Sequence, residues 1–163
     1  MANAPVVNLI PMTVLGKRAL DEELKRLKTI ERPAVIKAIE IARGHGDLGE
    51  NADYSAAKER QGFIEGRIAD INGKLALCQV IDPSTIKSDK IVFGATVVMA
   101  DQDTGKEMTY QIVGMDEADI KVNKISIGSP IARALIGKKA GEEVTVNAPK
   151  GAVIYDVIEV RYE

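Results

Sequence analysis

The fold of this chain is decided by two stretches of sequence, residues 20–41, LDEELKRLKTIERPAVIKAIEI, and residues 54–78, YSAAKERQGFIEGRIADINGKLALC. In each stretch a mostly apolar set of residues recurs alternately three and four apart. In the first stretch the set is Leu20, Leu24, Leu27, Glu31, Ala34, Ala38 and Ile41. In the second it is Tyr54, Ala57, Gln61, Ile64, Ile68, Ile71, Leu75 and Cys78. This spacing is typical of the seam of a coiled coil, and it predicts two long helices that pack along these positions.

The two predicted seams fit an antiparallel hairpin. When Ile41 is paired with Tyr54 and the pairing is continued to Leu20 with Leu75, the residue numbers of every pair sum to 95. A constant sum is what antiparallel arms require, and it centres the turn between residues 47 and 48. An arm of residues 20–41 is roughly 33 Å long at about 1.5 Å per residue. Pro33 removes a helical hydrogen bond, so we expect an irregularity at residues 31–33.

The second half of the chain changes to a period of two, which is typical of strands. Alternating segments predict strands within residues 91–98, 108–113, 144–146 and 153–162. Ser129 and Pro130 open a short helix that Gly137 ends. We therefore predict an α+β protein with two domains. A helical hairpin spans residues 1–82, with Thr13 as the cap of its first helix, and an antiparallel β domain with one short helix spans residues 83–163.

Composition excludes several classes of protein. With 22 basic and 24 acidic side chains the formal net charge is only -2, which argues against a general affinity for free nucleic acid. A single cysteine, Cys78, cannot form an internal disulfide. Met1 to Pro11 carries no basic residue, and no long apolar run follows. We expect a cytoplasmic protein with no membrane segment, and a monomer.

Residues 44–50, Gly-His-Gly-Asp-Leu-Gly-Glu, form the predicted tip of the hairpin. Gly44 suits the left-handed conformation past a helix end, and Asp47 suits the cap of the next helix. One interpretation makes Asp47 and Glu50 a capping box, in which each side chain accepts a hydrogen bond from the other's backbone. The other interpretation makes them metal ligands, because residues three apart on a helical turn face the same way. The sequence leaves both open.

Two carboxylates supply too few oxygens to hold magnesium alone, since this ion takes about six ligands. We expect the free protein to bind magnesium poorly, and a partner's active site to supply the ion and its other ligands. Arg43, Lys58 and Arg60 lie below the tip and are either a solvated helical face or contacts to a nucleic acid backbone. His45 and Asp53 are interpreted as polar loop and helix residues.

At these residues the sequence resembles the GreA family of bacterial transcript-cleavage factors, and its acidic pI of about 5.6 favours this branch over the more basic GreB relatives. The similarity covers nearly the whole chain in the expected order. The matching stretches are residues 10–13, 42–54, 61–68, 93–97 and 125–138.

The resemblance implies a coiled-coil hairpin that enters the secondary channel of bacterial RNA polymerase. Asp47 and Glu50 would help to hold a magnesium ion supplied at the polymerase active site, and the polymerase's own hydrolysis would then cut the 3′ end of backtracked nascent RNA. It also implies that the protein is not itself an enzyme, that it works among the RNA and DNA of the elongation complex, and that its second domain is FKBP-like and docks on the polymerase. Gly49 and Asp53 depart from the usual family pattern.

Three alternatives remain. A family member could occupy the channel and regulate the polymerase without promoting cleavage, although the intact acidic pair argues against this. A coiled-coil chaperone or adaptor would use the tip acids only as caps. A prolyl isomerase would need an aromatic pocket, for which the second half offers only four aromatic residues: Phe93, Tyr110, Tyr155 and Tyr162.

Overall fold

The computed structural model describes residues 8–46 and 51–163. The chain divides into two compact units: the first holds Lys17–Cys78, and the second holds Leu9–Gly16 together with Gln79–Glu163. The segment before the first helix thus belongs with the C-terminal half, which the sequence pattern did not anticipate. No helix in the two described ranges is long and apolar enough to cross a lipid bilayer.

The predicted helical hairpin followed by a β-sheet domain is confirmed. Its first arm begins with α1, and its second arm is the single helix α3. The helices are α1 (Val14–Arg26), a π-helix (Leu27–Glu31), α2 (Arg32–Arg43) and α3 (Ala52–Ala76). Thr13 precedes α1, and its Oγ1 accepts a hydrogen bond from the backbone N–H of Gly16 at 3.1 Å, so the predicted cap is also confirmed.

Burial along the seam agrees with the predicted pattern only in part. The second arm buries residues at the predicted positions: Ala57, Ile64, Ile68 and Ile71. The first arm does so at Leu20 and Leu27, but after the π-helix its buried residues are one position later than predicted: Val35, Ile39 and Ala42. The π-helix is the physical reason, because its wider turn takes up one more residue than an α-helical turn does.

The hairpin also ends earlier than the seam pattern indicated. Helix was predicted to about Asp82, but α3 ends at Ala76, and β2 (Cys78–Ile81) follows as a strand. Strand β2 pairs with β1 (Ile10–Thr13) in a two-stranded sheet. The helical prediction was wrong here because the strand partner lies far away in sequence, where a local periodicity cannot detect it.

The second unit is built on a five-stranded sheet in the order β5-β4-β3-β7-β6. The strands are β3 (Thr96–Asp101), β4 (Glu107–Val113), β5 (Lys124–Ser126), β6 (Glu143–Ala148) and β7 (Gly151–Arg161). Three of the four pairings are antiparallel, as predicted. The pairing of β4 with β5 is parallel, so the prediction of a purely antiparallel sheet was wrong at this edge.

The short helix α4 (Pro130–Leu135) lies where the sequence placed it. Ser129 Oγ accepts a hydrogen bond from the backbone N–H of Ala132 at 3.2 Å, and Gly137 has a φ of 87° just after the helix. Ala132 and Leu135 are fully buried and complete the core of the sheet. The other members of this core are Ile91, Ala95, Val97, Met99, Ile112, Ile125, Val144, Val146 and Val157.

The carboxylate of Glu117 connects β1 to the loop after β4. Its Oε2 accepts hydrogen bonds from the backbone N–H groups of Thr13 and Gly114, both at 3.0 Å, and its Oε1 accepts the Thr13 hydroxyl. A Cβ built on Gly114 would lie 2.7 Å from the carbonyl oxygen of Pro11, so only glycine allows this close approach. The chain segment that leads into α1 is therefore held by specific polar contacts.

Candidate functional site

The site lies where α2 ends and α3 begins. The last turn of α2 closes with hydrogen bonds from the Gly44 N–H to the carbonyl oxygens of Glu40 and Ile41, at 3.2 and 3.1 Å. Gly44 itself has ordinary right-handed angles, with φ -63° and ψ -16°, so the prediction that it is left-handed was wrong. The left-handed residue is Gly46, with a φ of 90°. The chain turns away from α2 two residues later than the pattern suggested.

Asn51 fixes the start of the second arm. Its Oδ1 accepts a hydrogen bond from the Tyr54 N–H at 3.0 Å, which makes it the N-cap of α3. Its Nδ2 donates to the carbonyl oxygen of Ala42 on α2 at 2.7 Å. One side chain thus caps one helix and ties it to the end of the other. Sequence reasoning missed this residue, although asparagine is among the preferred N-cap residues.

Asp47 and Glu50, the two carboxylates predicted to act at the tip, lie outside the described residues, as do Leu48 and Gly49. Asp47 was predicted to cap the helix after the turn, but the cap of α3 is supplied by Asn51. The ligand role of the two acids stays a prediction.

His45 and Asp53 stand on the two sides of the turn. Nδ1 of His45 lies 3.8 Å from a carboxylate oxygen of Asp53, and their side chains are 53% and 79% exposed. An exposed pair at this distance contributes little stability. Within residues 8–46 and 51–163 no group of three or more histidine, cysteine or acidic side chains could hold a metal ion.

The three basic residues predicted as contacts differ in their surroundings. Arg43 is the exposed last residue of α2. Lys58 is exposed on α3 and donates to Oε1 of Gln61 at 3.1 Å. Arg60 pairs across the hairpin with Glu31, with 2.7 Å between its Nη2 and the carboxylate. The charge of Arg60 is therefore balanced within the protein, whereas Lys58 contacts a neutral amide and forms no ion pair among the described residues. Their contact with polymerase or nucleic acid stays a prediction.

Two further ion pairs hold the arms of the hairpin in register. Arg32 binds both carboxylate oxygens of Glu65 at 2.7 and 2.8 Å, and Arg67 binds both oxygens of Glu23 at 2.7 and 2.9 Å. The hydrogen bonds from Arg67 lower the pKa of Glu23, and those from Arg32 lower the pKa of Glu65. Two-point contacts of this kind restrict the relative position of the helices more than single-point contacts do. They keep the arms aligned below the turn.

Two protein-family models match this chain. The model described as "Transcription elongation factor, N-terminal" matches residues 10–80. The model described as "Transcription elongation factor, GreA/GreB, C-term" matches residues 86–162. Together they cover the hairpin and nearly all of the sheet domain.

Named relatives are similar over almost their full length. The chain is 60% identical to transcription elongation factor GreA of Maricaulis maris over 156 residues, covering 96% of this chain and 99% of the relative. It is 59% identical to transcription elongation factor GreA of Alkalilimnicola ehrlichii, covering 94% and 98%.

Two solved structures are also similar. The transcription elongation factor GreA/GreB of Nitrosomonas europaea is 23% identical with a TM-score of 0.42, covering 94% of this chain and 99% of the other. A structure of the transcription factor Gfh1 is 24% identical with a TM-score of 0.46, covering 95% and 99%.

Proposed function

The chain belongs to the GreA/GreB family of transcription elongation factors, and from this premise we propose that it stimulates bacterial RNA polymerase to cleave the 3′ end of backtracked nascent RNA. The observation that carries the proposal is the match of both family models, over residues 10–80 and 86–162, together with relatives of 60% and 59% identity along nearly their whole length. In this role the protein is an accessory factor in the cytoplasm, and the polymerase performs the hydrolysis.

The hairpin supports this role by its length. The helix α3 has 25 residues, which is about 37 Å at 1.5 Å per residue. Arms of this length would allow the hairpin to reach far into the secondary channel of the polymerase. There, Asp47 and Glu50 would supply carboxylate oxygens to a magnesium ion held at the polymerase active site, and the chemistry such an ion would supply is the activation of water for attack on the RNA phosphodiester.

The caps of the hairpin leave the acidic pair available for this task. Because Asn51 caps α3, that helix needs no oxygen from Asp47 for its first turn. The hydrogen bond from Asn51 Nδ2 to the Ala42 carbonyl oxygen connects the end of α2 to the start of α3. This arrangement supports the metal interpretation of the acids over their interpretation as caps.

The basic residues below the tip take part by contacting phosphates of the RNA or DNA in the elongation complex. Arg43 and Lys58 are the members of the predicted trio that carry no ion pair among the described residues, while Arg60 is neutralised by Glu31. We assign phosphate contact mainly to Arg43 and Lys58. Phosphate contacts position a bound protein without reading the nucleotide sequence.

The proposal is tested on RNA polymerase stalled in a backtracked complex with labelled RNA and magnesium. Asp47→Asn/Glu50→Gln removes both charges and keeps the size of the side chains. We expect the unaltered protein to accelerate release of short 3′ fragments, and the double variant to bind the polymerase but to lose on the order of 100-fold in the rate. The matched control is Asp53→Asn, which removes an exposed neighbouring charge and should leave the rate unchanged.

Other outcomes would assign a different function. If neither protein accelerates cleavage although both bind, the protein is a regulator that obstructs the channel. If the double variant accelerates cleavage as well as the unaltered protein does, the tip acids do not act on the metal. A protein that prevents aggregation of unfolded clients without polymerase, with no effect of the tip substitutions, would be a chaperone or adaptor.

A further inference from the structure

The first arm of the hairpin contains one residue more than a continuous α-helix would need. In the π-helix Leu27–Glu31, the following Arg32 donates its backbone N–H to the carbonyl oxygen of Leu27, five residues back, in place of the usual four. Pro33 comes next and has no N–H to donate. The irregularity therefore lies where the backbone would lose a helical hydrogen bond in any case.

The extra residue decides which face of α2 meets α3. Without it, the seven-residue spacing from Leu27 would bury Ala34, Ala38 and Ile41. With it, the buried residues are Val35, Ile39 and Ala42, while Ile41 is 58% exposed.

The sequence can form an apolar seam in either register. The set Val35, Ile39 and Ala42 differs from the set Ala34, Ala38 and Ile41 by only one valine in place of one alanine. The observed register buries only two more side-chain carbon atoms than the alternative register, so apolar burial in the seam favours it only weakly. Pro33, which disfavours a continuous α-helix at this point, adds to the choice.

Asn51 couples the register of α2 to the start of α3. The carbonyl oxygen of Ala42 accepts from Asn51 Nδ2, and Asn51 also caps α3. A slip of α2 by one residue would rotate it by about 100° and move it by about 1.5 Å along its axis. The Ala42 carbonyl would then leave Asn51, and the end of α2 would lie in a different position relative to the start of α3.

We propose that the π-helix and Pro33 are positioning elements that fix the rotation of α2 about its axis. This rotation determines whether Asp47 and Glu50 are presented to the polymerase active centre in a productive orientation. This inference rests on the proposed function. It assigns to residues far from the turn a role in the geometry of the acids, separate from any role in holding the hairpin together.

The register itself is measured without polymerase, by disulfide formation between the arms. In a Cys78→Ser background, Ala57→Cys is combined with a cysteine at position 38 or at position 39. Ile39 and Ala57 are both buried in the seam. We expect the pair 39/57 to form a disulfide at least about tenfold faster than the pair 38/57, because only side chains that face each other approach closely enough.

A variant designed to prefer the other register of α2 distinguishes an effect of helix orientation from an effect of hairpin stability. Pro33→Ala with Ala34→Val, Val35→Ala and Ile39→Ala restores a helix former and moves the bulky seam residues to the register without a π-helix. We expect its disulfide preference to change to the pair 38/57. Without the engineered cysteines, we expect this variant to retain its helix content and its binding to polymerase. Its stimulation of cleavage should fall on the order of 100-fold, as for a reacting group displaced by about 1 Å.

The matched control removes the π-helix but keeps the orientation. Deletion of Ile30 together with Pro33→Ala gives a continuous helix in which Val35, Ile39 and Ala42 still face α3. We expect this variant to keep the 39/57 preference and cleavage stimulation within a few-fold of the unaltered protein. The two variants thus differ in register while both lack the π-helix and Pro33.

The outcomes are distinguishable. The inference is overturned if the four-substitution variant changes register and still stimulates cleavage fully, or if it keeps the 39/57 preference. It is also overturned if the deletion variant keeps the register but loses stimulation. If the unaltered protein itself stimulates no cleavage, the proposed function fails, and the disulfide rates still report the register.

Discussion

Glu117 shows how one side chain can determine the position of a whole segment. Its carboxylate accepts the Thr13 N–H, the Gly114 N–H and the Thr13 hydroxyl, and the same Thr13 hydroxyl oxygen caps α1. Thr13 is only 5% exposed, so water cannot easily replace these bonds. Loss of the carboxylate would leave buried donors without an acceptor, which is more costly than loss of an exposed hydrogen bond.

We therefore expect Glu117→Ala to lower the free energy of unfolding by about 2–4 kcal/mol, since each charge-assisted bond is worth roughly 1.5–3 kcal/mol and partial rearrangement recovers some of this. Urea unfolding followed by tyrosine fluorescence measures the change. Glu117→Gln keeps one acceptor oxygen and should lose less. An alanine variant as stable as the unaltered protein would show that the hydrogen bonds of the Glu117 carboxylate contribute nothing to stability.

Local capping patterns were predictable from sequence only where one candidate was present. Thr13 and Ser129 each precede a helix without a competing cap, and both predictions are confirmed. At the turn, Asp47 and Asn51 were both suitable residues, and the start of α3 decides between them. That start depends on packing against α2 and on the Ala42 carbonyl, neither of which a short sequence window contains.

At the scale of the elements, the hairpin combines an apolar seam with ion pairs at its edges. The pKa values of Glu23 and Glu65 are lowered in the folded protein by Arg67 and Arg32 respectively. A lowered pKa means that folding favours the ionised carboxylate. The resulting stability is fully present above the pKa of an unfolded glutamate, about 4.3, and it is lost as the pH falls through the lower pKa of the folded state.

We therefore expect the thermal midpoint of the hairpin, followed by circular dichroism at 222 nm, to fall as the pH is lowered below about 4. Glu23→Gln/Glu65→Gln should reduce the midpoint at pH 7 and flatten this acid decline. Glu22→Gln, which changes an exposed carboxylate on α1, is the control and should keep the slope. An identical acid decline in the double variant would mean that other carboxylates carry it.

Element types were predictable where periodicity was long, and element register was not. Within the 25 residues of α3 the seam spacing repeats from Tyr54 to Leu75, so the helix was evident. In the first arm the same rule identified the helix but assigned the wrong inner face after Leu27. The sequence offers apolar residues in both registers, and whether the helix breaks at Pro33 or forms a π-helix before it depends on the packing of the completed hairpin.

At the scale of the whole molecule, the low net charge predicts weak binding to free nucleic acid. The net charge is -2, and several cations are already committed to ion pairs, among them Arg32, Arg60 and Arg67. A protein with so little excess positive charge releases few counterions from a nucleic acid. Under the proposed function, Arg43 and Lys58 do not bind RNA by themselves and contact phosphates only after the protein has docked on polymerase.

We expect the free protein to bind single-stranded RNA or duplex DNA more weakly than a Kd of about 10⁻⁴ M at physiological salt, by fluorescence anisotropy. In the backtracked polymerase complex, Arg43→Gln/Lys58→Gln should raise the protein concentration needed for half-maximal cleavage about three- to tenfold. Added salt should reduce the difference between the variant and the unaltered protein, because salt weakens the same contacts in the unaltered protein. Lys25→Gln/Lys37→Gln removes two exposed charges further from the turn and should change little. Equal effects of the two pairs would show that the residues beside the turn have no contact of their own with the nucleic acid, and that general charge alone attracts the protein to the complex.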